Sequence, residues 1–159
     1  MNLTNEQREE LTIKCEATDI AGREPMIRLL NQIGYTFEET ERFNKVDIIF
    51  KDKKGATYHC EIKNRDEKYR KFDTHIIEIP KLEYLLSKER PIYCCIFGDY
   101  IYLYGKQALS KARTENMVRP KYNVINAGNN YSSCASVNSK YATIYYWSKE
   151  DNRYIKVNN

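Results

Sequence analysis

Two short runs of alternating apolar and polar residues flank a tight turn near the middle of this chain. They are Lys45-Val46-Asp47-Ile48-Ile49-Phe50 and Ala56-Thr57-Tyr58-His59-Cys60-Glu61-Ile62-Lys63. Strands place successive side chains on opposite faces. The first run predicts Val46, Ile48 and Phe50 on one face, with Asp47 and Ile49 on the other. The second predicts an apolar row of Tyr58, Cys60 and Ile62, with His59, Glu61 and Lys63 opposite. A hairpin tip at Asp52 to Ala56, with Gly55 at positive φ, sets Asp47 directly across from Glu61.

The same reading extends outward. Thr4 to Glu16 predicts a helix on which Leu3, Leu11 and Cys15 share a face. Gly22 to Gly34 predicts a second helix, with Pro25 near its first turn and Gly34 as its stop. Tyr35 to Phe37 reads as a short strand, and Pro80 to Leu86 as a helix. Pro91 to Phe97 and Tyr100 to Tyr104 form a hairpin about Gly98-Asp99, its first strand apolar enough to be covered on both faces. Lys121 to Lys140, rich in Asn, Ser, Gly and Tyr, shows no firm period and predicts a long irregular loop. Tyr141 to Trp147 and Arg153 to Val157 predict a last hairpin.

Three acid-x-Lys tripeptides occur, at Asp52-Lys53-Lys54, Glu61-Ile62-Lys63 and Asp66-Glu67-Lys68. Only the second lies on an alternating strand next to a strand carrying an inward Asp. Its bland reading is an exposed sheet face whose Glu and Lys pair across the ladder, worth about a few tenths of a kcal/mol. Its sharper reading is two carboxylates and an ammonium in one small volume, which suits a divalent metal beside a lysine.

The order helix, strand, Asp strand, Glu-x-Lys strand, helix, strand over residues 22 to 105 resembles the core of the PD-(D/E)XK nuclease superfamily. It is similar to small Holliday-junction resolvases and phage or restriction-type nucleases. Val46 stands where the family name has Pro. The resemblance implies an α/β fold of the restriction-endonuclease-like type, a mixed central sheet flanked by helices. A C-terminal β-hairpin extension, about residues 119 to 159, would follow the core within one domain spanning 1 to 159. It also implies a Mg²⁺-dependent nuclease acting on DNA, with Mn²⁺ able to substitute. Asp47 and Glu61 would bind the metal, the Ile62 carbonyl would complete the set, and Lys63 would orient water and stabilise the transition state. Glu24 corresponds to the extra metal-side acid that the family's first helix often supplies, though helix N-terminal acids also simply complement the dipole. DNA against RNA, endonuclease against exonuclease, and monomer against homodimer stay open. So does the alternative of a catalytically silent nucleic-acid-binding or assembly module that keeps the fold, and, further off, a metal-independent interaction domain.

Charge refines the picture. The net charge is +4, but its placement says more. Arg65, Lys68, Arg70 and Lys71 follow the Glu61 strand with Tyr69 and Phe72 between them, a pattern that can neutralise phosphates and stack bases. Lys81, on the following helix with Tyr84 one turn on, is a further phosphate contact. A second basic group runs through Lys106, Lys111, Arg113, Arg119 and Lys121. For either group the ordinary alternative is a solvated surface. His59 is expected to be a neutral structural histidine and His75 a loop residue. The five cysteines, two of them adjacent, argue against a disulfide framework and for a reducing cytoplasm. The first residues have neither a basic start nor an apolar run, so no signal peptide is expected, and no stretch reaches membrane-spanning length.

Overall fold

The computed structural model describes residues 4–41, 44–122 and 129–157. The expected N-terminal pair of helices is one helix, α1 (Asn5–Ile33). Thr4 caps it through a reciprocal box with Gln7, and Gly34, at φ 77°, ends it in the left-handed conformation. Pro25 therefore sits inside the helix and not at its start, at the cost of one intrahelical bond. Burial of Met26, Leu29 and Leu30 directly after it offsets that loss, since packing contributes most of the stability of a helix in a protein. Gly22 is fixed by close approach: an added Cβ would meet the Asn64 amide at 2.2 Å. Leu3 lies outside the described residues, as does the Cys15 side chain.

The central sheet is mixed. Its seven strands are β1 (Thr36–Glu39), β2 (Ile48–Lys51), β3 (Thr57–Arg65), β5 (Pro91–Phe97), β6 (Tyr100–Tyr104), β9 (Thr143–Ser148) and β10 (Arg153–Val157), adjacent in that order. β3 and β5 run parallel and the remaining pairs antiparallel. The parallel step requires a crossover. It is made by a 3-10 turn (Glu67–Lys71), β4 (Thr74–Glu78) and α2 (Ile79–Leu86). One face of the sheet packs under α1, through Ile48, Phe50, Cys60, Ile62, Cys94 and Ile96. The other packs Tyr93, Cys95, Phe97, Tyr102 and Tyr104 against α2, a short α3 (Lys106–Leu109) and a second sheet. β5 is thus covered on both faces, as its apolar run predicts. The chain is an α/β protein.

Two expectations are corrected. The stretch read as a long loop holds β8 (Asn129–Asn138), which lies between β4 and β7 (Arg113–Tyr122) in the three-stranded second sheet; residues 123–128 lie outside the described residues. Ala135 and Val137 face the core, and Cys134 and Ser136 are buried beside them, so pairing on both sides overrides weak strand propensity. Pro120 falls on the outer strand, where a missing donor is tolerated. The expected C-terminal hairpin forms as β9 and β10; β9 pairs with β6, and Tyr154 is buried under α1 with its backbone bonded at both ends to the Gln32 side chain. His75 is a β4 residue and only 3% exposed, boxed by the rings of Phe97, Tyr102 and Tyr104. Among the described residues no helix is long and apolar enough to cross a membrane.

Candidate functional site

The hairpin between β2 and β3 forms as its turn chemistry requires. Gly55 takes φ 81°, and the Asp52 carboxylate accepts the Lys54 and Ala56 N–H groups, both at 2.9 Å. Those bonds, that from Ala56 foremost, hold the Asp52 carboxyl below its ordinary range. The register Ile49↔His59, Phe50↔Tyr58 then puts Cys60 and Ile62 under α1 and leaves Glu61 and Lys63 on the opposite face.

Asp47 departs from the expected register in one respect. It precedes β2, in a bend over residues 45–47, and its N–H donates to the Cys60 carbonyl at 2.9 Å. Cys60 is already opposite Ile48, so two residues oppose one, which is the count of a β-bulge. Val46 consequently turns away from Ile48 and Phe50 into the core beneath α2. Thr40 clamps the bend, its N–H and hydroxyl both donating to the Asp47 carbonyl, at 3.1 and 3.0 Å.

The bulge aims the Asp47 carboxylate across β3. One oxygen accepts the Ile62 N–H at 2.7 Å; the other pairs with Arg23 of α1 at 3.2 Å. Arg23 also bonds the Thr40 carbonyl at 3.1 Å, tying helix, bend and carboxylate together. The N–H and C=O of one strand residue face the same neighbour, so the Ile62 carbonyl lies on the Asp47 side of β3. Glu61 is 4% exposed and pairs with Lys81 from the first turn of α2. Burial pushes its carboxyl up to about 7; the Asp47 charge pushes the same way, while Lys81 and, more weakly, Lys63 oppose. Lys81 is raised instead, because its attraction to Glu61, reinforced by Glu78 and Asp47, outweighs burial. Asp47, Glu61, Lys63 and Lys81 thus form one electrostatic unit, with Lys63 exposed. At its rim Lys45 and Lys88 both approach the Tyr84 ring, at 5.0 and 4.6 Å.

Other expected residues fall elsewhere. Glu24 pairs with Arg28 at 3.2 Å on the exposed side of α1; its neighbour Arg23 is the residue that reaches Asp47. Arg65 is half-buried and not free on the surface. Its guanidinium turns inward to the Ile76 carbonyl and the Tyr93 hydroxyl, where it bridges β3, β4 and β5. Arg70 lies over the Tyr100 ring at 4.0 Å with a buried Nε, so it too is engaged in packing. Lys68 and Lys71 are exposed, as are Tyr69 and Phe72. His59 is half-buried, and burial, aided by Lys88, pushes its pKa down, in keeping with a neutral structural histidine. The Arg119 and Lys121 side chains lie outside the described residues. Sequence reasoning missed Arg23 altogether. Its one signal was the arginine beside Glu24, and only the fold of α1 onto the bend gives it meaning.

The two carboxylates offer hard oxygens of the kind Mg²⁺ takes. Sites for that ion commonly use one or two carboxylates and leave the rest to water and substrate phosphate. Among the described residues no cluster of three or more His, Cys, Asp or Glu side chains forms a fuller shell. Burial, more than the Asp47 charge, is what raises the Glu61 carboxyl, with Lys81 and Lys63 opposing. No family model matches the chain, and no curated protein is significantly similar to it.

Proposed function

We propose that this chain is a Mg²⁺-dependent nuclease of the restriction-endonuclease-like type, hydrolysing phosphodiester bonds in DNA, with Mn²⁺ able to replace Mg²⁺. The observation that carries the reading is Glu61, a buried acid whose charge couples to that of Asp47, on a strand that also presents Lys63. Asp47, Glu61 and the Ile62 carbonyl would hold the ion. Bound there, the ion supplies polarisation of the phosphoryl oxygen and a water of lowered pKa. The rest is the work of the chain's own groups. Lys63, solvent-exposed on the Glu61 face, meets negative charge as it develops on the phosphate. Lys81 and Arg23 are positioning residues that aim Glu61 and Asp47.

One observation favours the second reading, a catalytically silent nucleic-acid-binding module: each carboxylate already carries a cation, Arg23 on Asp47 and Lys81 on Glu61. Cleavage assays decide between them. Labelled duplex, single-stranded, flap and junction DNA, and RNA, are incubated with Mg²⁺ or Mn²⁺, with and without EDTA. Metal-dependent cleavage lost in Glu61→Gln and Lys63→Ala supports the nuclease. An inert wild type across all substrates, with binding retained, overturns it in favour of the module.

A further inference from the structure

Two segments far apart in sequence meet at Thr74, the first residue of β4. On one side is a cleft of about 400 Å³ lined by Tyr69, Phe72 and Asp73. Tyr69 and Phe72 are 43% and 50% exposed, with ring centroids 6.2 Å apart and planes 28° from parallel. Large aromatics left in solvent as a roughly parallel pair offer faces on which flat rings can stack. On the other side of Thr74 is a cleft of about 470 Å³ lined by Lys111, Arg113 and Lys140 around Tyr141. The Lys111 and Lys140 ammonium groups lie 4.3 and 5.0 Å from the centroid of the same Tyr141 ring. Like charges gathered in a concavity focus a positive potential, and among the described residues no carboxylate lines this cleft. Among the described residues lining the two clefts the one acid is Asp73, on the aromatic side, and it also lines a further cleft with Lys140.

We propose that these clefts form one groove that seats a single strand of nucleic acid, its bases on Tyr69 and Phe72 and its phosphates among Lys111, Arg113 and Lys140. Unpaired bases expose the faces that aromatic platforms need, whereas a duplex hides them. β4 leads from Thr74 to Glu78 and directly into α2, whose Lys81 holds Glu61. Along β4 that is about 13 Å at ordinary strand rise, so a strand in the groove would lead toward the Asp47–Glu61 bay. The inference goes beyond the nuclease reading and stands without it, because binding needs no metal.

The test is fluorescence anisotropy with labelled dT20 in EDTA, at several salt concentrations, on the full chain carrying Glu61→Gln so that cleavage plays no part. Two variants are added to that background: Lys111→Gln/Arg113→Gln/Lys140→Gln, and Tyr69→Ala/Phe72→Ala. All these side chains are exposed, and unchanged melting temperatures confirm intact folding. The triple variant is expected to flatten the salt dependence by up to about 2 in slope, at about 0.7 per single-strand phosphate contact. The aromatic variant is expected to bind roughly 5- to 150-fold more weakly per lost base stack with little change in slope. Affinity insensitive to either variant overturns the groove. Equal affinity for a duplex of the same length overturns the single-strand assignment. Polyglutamate competing as well as dT20 would make the occupant an acidic peptide and overturn the stacking role. Loss of cleavage in the wild-type background, with these binding results intact, would count against the nuclease reading alone.

Discussion

At the Asp47–Glu61 bay, two acids meet two cations, and the Asp47 carboxylate is also fixed by a backbone bond: it rests on the Ile62 N–H and Arg23, while Glu61 rests on Lys81. On the Tyr141 side of the Thr74 groove, Lys111, Arg113 and Lys140 gather with no carboxylate among the described residues lining that side. Both regions are rich in basic residues, yet their charges do different work. In the bay Arg23 and Lys81 are each paired with a carboxyl group, so substrate would gain only what Lys63 and the rim lysines offer. In the groove, among the described residues, no ion pair ties up Lys111, Arg113 or Lys140, and the two lysines rest on the Tyr141 ring. A protein built this way would separate grip from chemistry, which is an arrangement that mutation can take apart.

The largest expected effect is on turnover. Lys63→Ala should lower the cleavage rate by about 100- to 1,000-fold, the range for removing one preorganised group that meets transition-state charge. Its affinity for dT20 in EDTA should stay within about twofold of wild type. The triple groove variant should do the reverse, with KM raised and kcat little changed. Steady-state kinetics on a cleaved substrate reads the split. If Lys63→Ala instead loses affinity and keeps kcat, the bay is a binding site and the comparison collapses.

Next comes stability against pH, where the two regions pull in opposite directions. Glu61 has a folded pKa raised to about 7, so between pH 4.5 and 7 the unfolded chain releases a proton that the native state keeps. Stability from this group falls as pH rises through that window, by up to about 3 kcal/mol. His75, beside the groove, is lowered to about 4 by burial and the Arg65 charge. Here the unfolded chain takes up a proton that the native state refuses, so stability falls as pH drops from 6.5 toward 4, by a similar amount. The two nearly cancel in the wild type. Glu61→Gln should therefore leave stability that rises with pH between 4 and 6.5, and His75→Phe stability that falls with pH between 4.5 and 7. Urea unfolding across pH 4 to 8 checks both signs. Parallel profiles for the two variants would mean that neither group carries the assigned charge state.

How much of this was legible beforehand follows from range. The β2–β3 hairpin is local, so alternation and Gly55 placed its strands within two or three residues and brought Asp47 beside Glu61 and Lys63. The bulge at Asp47 was not legible, because it depends on Thr40 and Arg23 clamping the bend from other elements. Arg65 and Arg70 read as surface charges among Lys68 and Lys71, and only the crossover to β5 and β6 turns them inward. β8 carries almost no strand signal of its own; β4 and β7 on either side define it. The Thr74 groove joins residues about 70 positions apart, and no local pattern announces that.

Arg65 supplies the next effect down. Arg65→Ala should cost about 1–3 kcal/mol, since the Tyr93 hydroxyl still donates to the Ile76 carbonyl at 2.9 Å but loses the charged donor that both groups share. Thermal or chemical unfolding reads this, and the salt slope of dT20 binding by the folded fraction should not move.

The smallest effect is the most discriminating. Lys68 and Lys71 belong to the same basic run as Arg65 and Arg70, yet both stay exposed, and each ammonium lies over an aromatic that lines the groove, Lys68 over Tyr69 at 5.0 Å and Lys71 over Phe72 at 5.8 Å. Lys68 also meets Asp66 at 3.6 Å, an exposed pair worth about 0–1 kcal/mol. Lys68→Gln/Lys71→Gln should thus leave stability within about 0.5 kcal/mol of wild type, as surface substitutions do. It should reduce the salt slope of dT20 binding by at most about 1.4, two single-strand contacts' worth. The reduction should add to that of the Lys111, Arg113 and Lys140 variant, because separate phosphates contribute separately. Anisotropy titrations of the two-site, three-site and five-site variants measure the sum. A five-site slope no flatter than the three-site one would confine the phosphate path to the Tyr141 side of Thr74 and leave Tyr69 and Phe72 to act by stacking alone.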